Sequence, residues 1–140
     1  MEEVLRNMIE DGDHRFWGLL GCKFLGYDGE RVRLAMTAGL QHTNSMGIIH
    51  GGVLTSLMDQ AMGMAALALR PQGACVTTNL NVHFLSAMKE GELIITARVV
   101  HEGGRTLTTE AEIRDSADTL GAIATATFRS IPQSRLQEKG

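Results

Sequence analysis

The 140-residue sequence predicts an α+β fold in which a curved antiparallel β-sheet wraps around a long central helix. The first observation is a nearly unbroken apolar run from Val53 to Leu69, which follows Gly51 and Gly52 and ends before Pro71. The second is that four later segments alternate apolar and polar residues and are joined by turn sequences. A helix that is apolar on nearly all sides must be enclosed, and a curved sheet can enclose it within a chain of this length.

The N-terminal residues 1–16 predict a helix appended to the domain, because Val4, Leu5, Met8 and Ile9 recur at helical spacing. The domain itself is expected to cover residues 17–131, and a polar tail to cover 132–140. Within the domain the expected elements are a strand or hairpin at 22–36, an irregular loop at 37–49, the helix from Gly51 or Gly52 to Arg70, and strands at 75–85, 92–101, 105–115 and 119–131. The short links Gly103–Gly104 and 115–118 predict antiparallel hairpins.

Composition excludes several classes of partner. Thirteen basic and sixteen acidic residues give a net charge of -3 without a Lys/Arg cluster, so nucleic-acid binding is not expected. The N-terminus has no basic segment followed by an apolar one, which predicts a cytoplasmic location. The run from Val53 to Leu69 is shorter than the roughly 20 apolar residues of a membrane span and contains Asp59, so no span is expected. Cys22 and Cys75 form no CxxC pair and are expected to be buried thiols.

Asp59 is the residue of the helix that most needs an explanation. An ionised carboxylate in an apolar interior without partners costs several kcal/mol, so a buried Asp59 must be paired or serve chemistry. Helical spacing places a set of mostly small and polar residues on one face: Gly52, Thr55 or Ser56, Asp59, Met62 or Gly63, and Ala66. That face suits an active-site cleft, and it equally suits close packing against another helix.

Gly51 and Gly52 lie at the start of the helix, where the first backbone N–H groups have no partner within the helix. Such a group can bind an oxyanion, although a plain glycine-rich helix start has the same sequence. Asp59 follows Gly51 by eight residues, about 12 Å along the helix at 1.5 Å per residue. The two residues therefore cannot serve one carbonyl within one chain, and a shared reaction centre would require a second subunit.

Other catalytic arrangements find less support in the sequence. His42, Asn44 and His50 lie near one another, but their spacing matches no recognised zinc pattern, so neither a metal nor another cofactor is expected. His50 is expected to order the turn before the helix. A Ser/His/Asp triad is conceivable from composition, but no GxSxG motif is present.

The string from Asn44 to Val53, with Asp59 nine residues after His50, resembles the hotdog-fold thioesterases of the phenylacetic-acid-degradation (PaaI-like) type. The resemblance covers about residues 16–129. It implies a hotdog domain that hydrolyses an acyl- or aryl-acyl-coenzyme A to free acid and coenzyme A. It also implies a homodimer or homotetramer with active sites at the subunit interface.

The resemblance also implies roles for individual residues. Asp59 would be the nucleophile or the general base, and the Gly51 amide of the partner subunit would polarise the thioester carbonyl. Asn44 and His50 would shape the pocket, and Thr77 would help to place a water molecule. Substrate and coenzyme A contacts are implied for Gly52, Asn79, Phe84, Leu85, Ser86, Lys89, Gly103, Gly104 and Arg105.

Two other functions remain open from the sequence. A non-catalytic acyl-CoA-binding or regulatory module would not need an acid at position 59. A hotdog hydratase would need a histidine placed with the acid to move protons at a double bond. The sequence leaves the acyl group undetermined. The depth of its pocket is expected to depend on how the subunits pair and on side chains such as Met58, Met62, Met64 and Leu67.

Overall fold

The computed structural model describes residues 2–132, so the predicted tail lies outside the described residues except for Pro132. The chain forms a six-stranded antiparallel sheet with a long helix packed against one face, which confirms the predicted fold. The elements are α1 (Glu2–Gly12), α2 (Phe16–Leu20), β1 (Lys23–Tyr27), β2 (Arg31–Ala38), a 3-10 turn (Leu40–His42), α3 (Gly51–Leu69), β3 (Gly73–Phe84), β4 (Gly91–Glu102), β5 (Thr106–Asp115) and β6 (Leu120–Pro132).

The core lies between α3 and the inner face of the sheet. Alternate residues of β2, β4, β5 and β6 point toward the helix, and the largest of these, Phe128, is only 2% exposed. Nine residues of α3 are buried against them: Leu54, Leu57, Met58, Ala61, Met62, Met64, Ala65, Ala66 and Ala68. Burial of these apolar side chains away from water is the main stabilising contribution to such a fold.

The N-terminal helices join the same core. Leu5 of α1 is 1% exposed, and Trp17 and Leu20 of α2 are buried beside it. The chain breaks between α1 and α2 at residues 13–15, after Gly12. Both helices contact α3.

The order of the strands is β1-β2-β4-β5-β6-β3. The hairpins β1–β2, β4–β5 and β5–β6 follow the turn sequences that predict them. β3 pairs with β6 and lies at an edge, and no strand within residues 2–132 pairs along its outer side. One long strand edge is therefore open.

α3 is not enclosed on all sides as the apolar run suggests. The sheet covers one side, and on the other side Ser56, Asp59, Gln60 and Gly63 are partly exposed. By length and composition alone this helix is apolar enough to cross a membrane. Its buried side belongs to the core, so it is the central helix of the fold.

Candidate active site

The start of α3 presents an N–H group that is not used within the chain. His50 is the N-cap, and its Nδ1 accepts a hydrogen bond from the Gly52 N–H at 2.9 Å. The His50 carbonyl accepts from the Val53 N–H at 2.9 Å. Among the described residues no acceptor binds the Gly51 N–H. The helix dipole adds partial positive charge at this point, so the Gly51 amide is a ready donor for an oxyanion.

The absence of a side chain at Gly51 has a packing reason. A β-carbon there would lie 3.1 Å from Cζ of Phe84, which is tighter than ordinary van der Waals contact. The Phe84 ring at the end of β3 thus packs over the first residue of α3. Phe84 is itself 56% exposed, so this aromatic side chain has one face on the helix start and one face in solvent.

Asn44 organises the loop before the helix. Its side-chain Oδ1 accepts hydrogen bonds from the N–H groups of Met46 at 3.0 Å and Ile48 at 3.4 Å. Gly47 closes this turn with a φ of 79°, in the left-handed region that favours glycine. The two donors fix which side of the amide is oxygen, so the Nδ2 group points away from the turn. Within residues 2–132 that Nδ2 group makes no hydrogen bond, and Asn44 lines the same cavity as Gly51.

This cavity, here called the Gly51 cavity, has a volume of about 350 Å3. Its second wall is the segment after β3, which is held to β6 because the Gly121 carbonyl accepts from Leu85 N at 2.8 Å and Ser86 N at 3.1 Å. The Ser86 hydroxyl donates to the Leu120 carbonyl at 3.0 Å. The cavity is lined by Asn44, Ile48, Ile49, Gly51, Leu54, Phe84, Leu85, Ser86, Ala87 and Met88.

Asp59 lies elsewhere on the helix and is not the buried carboxylate that its apolar neighbours suggest. It is only partly buried, because the sheet leaves that side of α3 uncovered. Its Oδ1 accepts a hydrogen bond from the Thr77 hydroxyl at 2.8 Å. The strand makes this contact possible through a bulge, since Thr77 pairs with Phe128 whereas Asn79 pairs with Thr127.

The predicted catalytic residues therefore form two groups within one chain. Gly51, Asn44 and His50 meet at the start of α3, and Asp59 meets Thr77 two turns further along. α3 is continuous over these residues, so Gly51 and Asp59 are separated by about 12 Å along its axis.

The predicted substrate contacts also divide between the two ends of the helix. Phe84, Leu85 and Ser86 line the Gly51 cavity, while Gly52 holds the His50 cap. The exposed Lys89 does not line that cavity.

Asn79, Gly103 and Gly104 are also placed away from the Gly51 cavity. Asn79 pairs with Thr127 on the outer face of the sheet and accepts a hydrogen bond from Asn81 at 3.0 Å. The carbonyls of Gly103 and Gly104, at the far end of α3, accept hydrogen bonds from Arg70 at 2.9 and 3.2 Å.

Arg105 lies beside an arginine that the sequence interpretation missed. Arg105 and Arg129 line a cavity of about 130 Å3 together with Ser130. The Arg105 carbonyl accepts from Ser130 N at 2.8 Å, which holds the two segments together. Neither arginine forms an ion pair with the described residues. The pairing of Thr106 with Arg129 brings the two arginines together, a proximity that the predicted β5–β6 hairpin implies but that the sequence interpretation did not follow as far as Arg129.

Cysteine and metal chemistry receive no support from the described residues. Burial raises the pKa of the Cys22 thiol to about 12 and also raises that of the partly buried Cys75, so neither is a ready nucleophile near neutral pH. His42 uses Nδ1 to accept from Gly39 N at 2.9 Å. In residues 2–132 no three His, Cys, Asp or Glu side chains come together as a metal site would require.

A larger cavity of about 410 Å3 lies on the outer face of the sheet. Charged side chains that pair with each other line much of it, including Arg98 and Glu110 at 2.6 Å. It contains no helix N-terminus, whereas the Gly51 cavity joins a backbone donor to an apolar wall. The Gly51 cavity is therefore the better candidate for chemistry despite its smaller volume.

Comparisons with known proteins identify the family of the chain. Residues 46–122 match the thioesterase superfamily. The Saccharolobus solfataricus protein SSO2140 is 31% identical over 98% of this chain and 96% of its own length. Homo sapiens acyl-coenzyme A thioesterase 13 is 32% identical over 62% of this chain and 63% of that protein.

Solved structures show the same architecture. The E. coli PaaI protein of the phenylacetic acid degradation operon has a TM-score of 0.82 at 26% identity, covering 92% of this chain and 91% of that chain. Protein PA5202 of Pseudomonas aeruginosa has a TM-score of 0.79 at 31% identity, covering 83% and 93%. The chain therefore belongs to the thioesterase superfamily and is a thioester hydrolase with the hotdog fold.

Proposed function

We propose that the protein hydrolyses acyl-coenzyme A thioesters in the cytoplasm, without a metal or another cofactor. The observation that carries this proposal is the unused Gly51 N–H at the mouth of an apolar cavity. Thioester hydrolysis needs a donor for the developing oxyanion and a carboxylate at the carbonyl carbon, and both can come from protein groups alone. The relative named acyl-coenzyme A thioesterase adds support for the coenzyme A part of the substrate.

The chemistry assigns a distinct task to each group. The thioester oxygen would accept hydrogen bonds from the Gly51 N–H and the Asn44 Nδ2, which stabilise the negative charge of the tetrahedral intermediate. The Asp59 carboxylate, held by Thr77, would attack the carbonyl carbon or take a proton from the attacking water. Collapse of the intermediate breaks the C–S bond and releases the coenzyme A thiolate. After a single turnover in H2(18)O, label found in Asp59 by mass spectrometry would identify the covalent route, because only an anhydride that water attacks at the Asp59 carbonyl carbon leaves solvent oxygen in that carboxylate.

Both groups reach one carbonyl only if two chains meet. We assign the contact to the open edge of β3, because a twelve-residue edge strand with unused backbone groups is a template for pairing. A two-fold axis pairs β3 with itself in antiparallel fashion, and paired residues must share a face of the sheet.

The faces of β3 restrict the register. Centring the pair on Asn81 would set Leu80 opposite the partner subunit's Val82, and both positions face the helix. The bulge at Thr78 would then bring Thr77 opposite the partner's Phe84. Since Thr77 binds Asp59 and Phe84 packs on Gly51, this register would carry each Asp59 toward the Gly51 of the other chain.

We further propose that Arg105 and Arg129 bind phosphate groups of coenzyme A. Arginine is well suited to phosphate, and these two share a small cavity without ion pairs to the described residues. In the proposed dimer, the start of β3 runs beside the partner's segment after Phe84, and the end of β6 lies on the other side of β3. The arginines would therefore lie one strand away from the segment that lines the cavity of the opposite subunit.

Thiol release from a panel of acyl-coenzyme A substrates tests the activity. We expect Asp59→Asn to lose at least about a hundredfold in kcat. Asp118→Asn is a matched control, because Asp118 is exposed and has a φ of 64° that asparagine also adopts. Absence of hydrolysis by the wild type, or equal loss in both variants, would refute the proposal.

Mixed dimers test the shared site. Gly51→Pro and Asp59→Asn each damage a different half, so each variant alone should be nearly inactive. After unfolding and refolding together in equal amounts, random pairing should restore about a quarter of the wild-type sites. No restoration, with heterodimers shown by native mass spectrometry, would contradict a site built from two chains.

A further inference from the structure

We propose that the Gly51 cavity holds the acyl group and that Met88 sets the length of chain it accepts. This inference rests on the proposed function, because it takes the thioester carbonyl to lie at the Gly51 N–H. It names the chemical class of the substrate's acyl group: uncharged, apolar and of limited size.

The direction of the substrate follows from what each end requires. Coenzyme A carries phosphates and must extend into solvent and toward cations. The inner end of the Gly51 cavity instead reaches the core, where Ile49, Leu54 and Met88 are each 3% exposed or less. Of the two groups attached to the thioester carbonyl, only the acyl group can occupy such a space without loss of hydration.

The lining also restricts the chemistry of the acyl group. Within residues 2–132 no charged side chain lines the cavity. The Ser86 hydroxyl donates to Leu120 and the Asn44 oxygen is held by its own turn, while the Asn44 Nδ2 group and the Gly51 N–H are taken up by the thioester oxygen in the proposed mechanism. A carboxylated acyl group such as succinyl would find no partner there. A group the size of a water molecule occupies about 30 Å3, so the cavity of 350 Å3 has room for on the order of ten groups of that size.

Met88 forms the floor of the cavity in a fixed position. Its carbonyl accepts from Ile49 N at 2.7 Å, so its backbone is tied to the opposite wall. Its side chain lies directly on Gly121, where any β-carbon would overlap the sulfur and its neighbouring carbons. Shortening the side chain would therefore open space at the inner end of the cavity.

The helix methionines do not have this position. Met58, Met62 and Met64 are fully buried in the core and do not line the Gly51 cavity, so their expected role in setting pocket depth stays a prediction. Leu67, also expected there, does not line it either. The sheet covers the face of α3 that carries the methionines, and the cavity forms at the end of the helix.

Chain-length profiles test the proposal. The values of kcat/KM are measured for the wild type, for Met88→Ala and for the control Met64→Ala. The substrates are butanoyl, octanoyl, dodecanoyl, phenylacetyl and succinyl coenzyme A. Each added buried methylene strengthens binding, so Met88→Ala should raise the dodecanoyl to octanoyl ratio of kcat/KM about tenfold. Met64→Ala removes the same atoms from the core and should leave the ratio unchanged. Met88→Leu, a milder change, should shift the ratio in the same direction if the alanine variant does not fold.

Two results would overturn the inference. One is an equal change of kcat/KM for every acyl chain in Met88→Ala together with weaker inhibition by free coenzyme A, because Met88 would then contact the coenzyme. The other is a wild type that hydrolyses succinyl coenzyme A best. If the wild type hydrolyses none of these compounds, the proposed function fails. The pocket can still be tested by binding, because each bound acyl-coenzyme A raises the Tm of the protein. If the rise in Tm depends on chain length in the same way in Met88→Ala and in the wild type, the pocket assignment is refuted independently of the activity.

Discussion

Replacing Gly51 with proline removes a single N–H group and leaves the helix that carries it. Gly51 is the first residue of α3, the position where proline is best tolerated in a helix. The preceding His50 has φ -59° and ψ 135°, which a residue before proline adopts readily. The helix should therefore persist while the proposed oxyanion donor is lost.

Gly51→Ala is the matched control for this change. Both variants add a β-carbon that would lie 3.1 Å from the Phe84 ring, but only proline removes the N–H group. Loss of one oxyanion donor lowers kcat by roughly 10² to 10³, or about 2.7 to 4 kcal/mol of barrier. We expect the proline variant to be slower than the alanine variant by that factor.

The assay is thiol release with the best substrate, accompanied by Tm measurements on both variants. Comparable Tm values with a large difference in kcat would locate the effect in the transition state. Equal kcat values for the two variants would refute the assignment of the Gly51 amide.

The remaining predictions concern the other parts of the site and the fold. Thr77→Val should lower kcat about tenfold or more because Asp59 loses its hydrogen bond, whereas Thr77→Ser should retain activity; equal kinetics for the two variants would count against positioning by the hydroxyl. Arg129→Gln should raise KM severalfold with little change in kcat, and an unchanged KM at low salt would remove it from the phosphate site. Gly121→Ala should destabilise the fold by about 1 to 3 kcal/mol in urea unfolding, because Met88 must move, and an unchanged midpoint would contradict that packing. Dialysis against a chelator should leave activity intact, and activity restored only by a divalent cation would overturn the cofactor-free mechanism.

Local signals predicted the elements of the fold well. α3 begins at Gly51 and ends before Pro71 because the glycines and the proline mark the limits of a helix directly. The β4–β5 hairpin forms around Gly103 and Gly104 for a similar reason. The pairing of β3 with β6 was not predicted, because it joins strands separated by two others in sequence and no turn records it.

Only those parts of the site that are formed by neighbouring residues in the sequence could be predicted. The Asn44-to-Gly51 stretch is contiguous, so its turn, cap and donor follow from neighbouring residues. Asp59 was expected to be buried because its neighbours in sequence are apolar, whereas its exposure depends on which side of α3 the sheet covers. Met88 reaches its position through packing on Gly121, which leaves no local pattern, whereas the position of Arg129 follows from the register of the β5–β6 hairpin.

The open edge of β3 has a consequence for how the protein reaches its working form. A chain that has folded alone still exposes twelve residues of strand along with the aromatic ring of Phe84. For the proposed dimer, recovery of activity after dilution from denaturant should depend on the collision of two folded chains. Its rate should increase with protein concentration, while the rate at which the helix signal recovers should not. At low protein concentration dimers form slowly, and the unpaired β3 edge stays available to any other exposed strand. Correct dimerisation and aggregation then compete for the same strand edge.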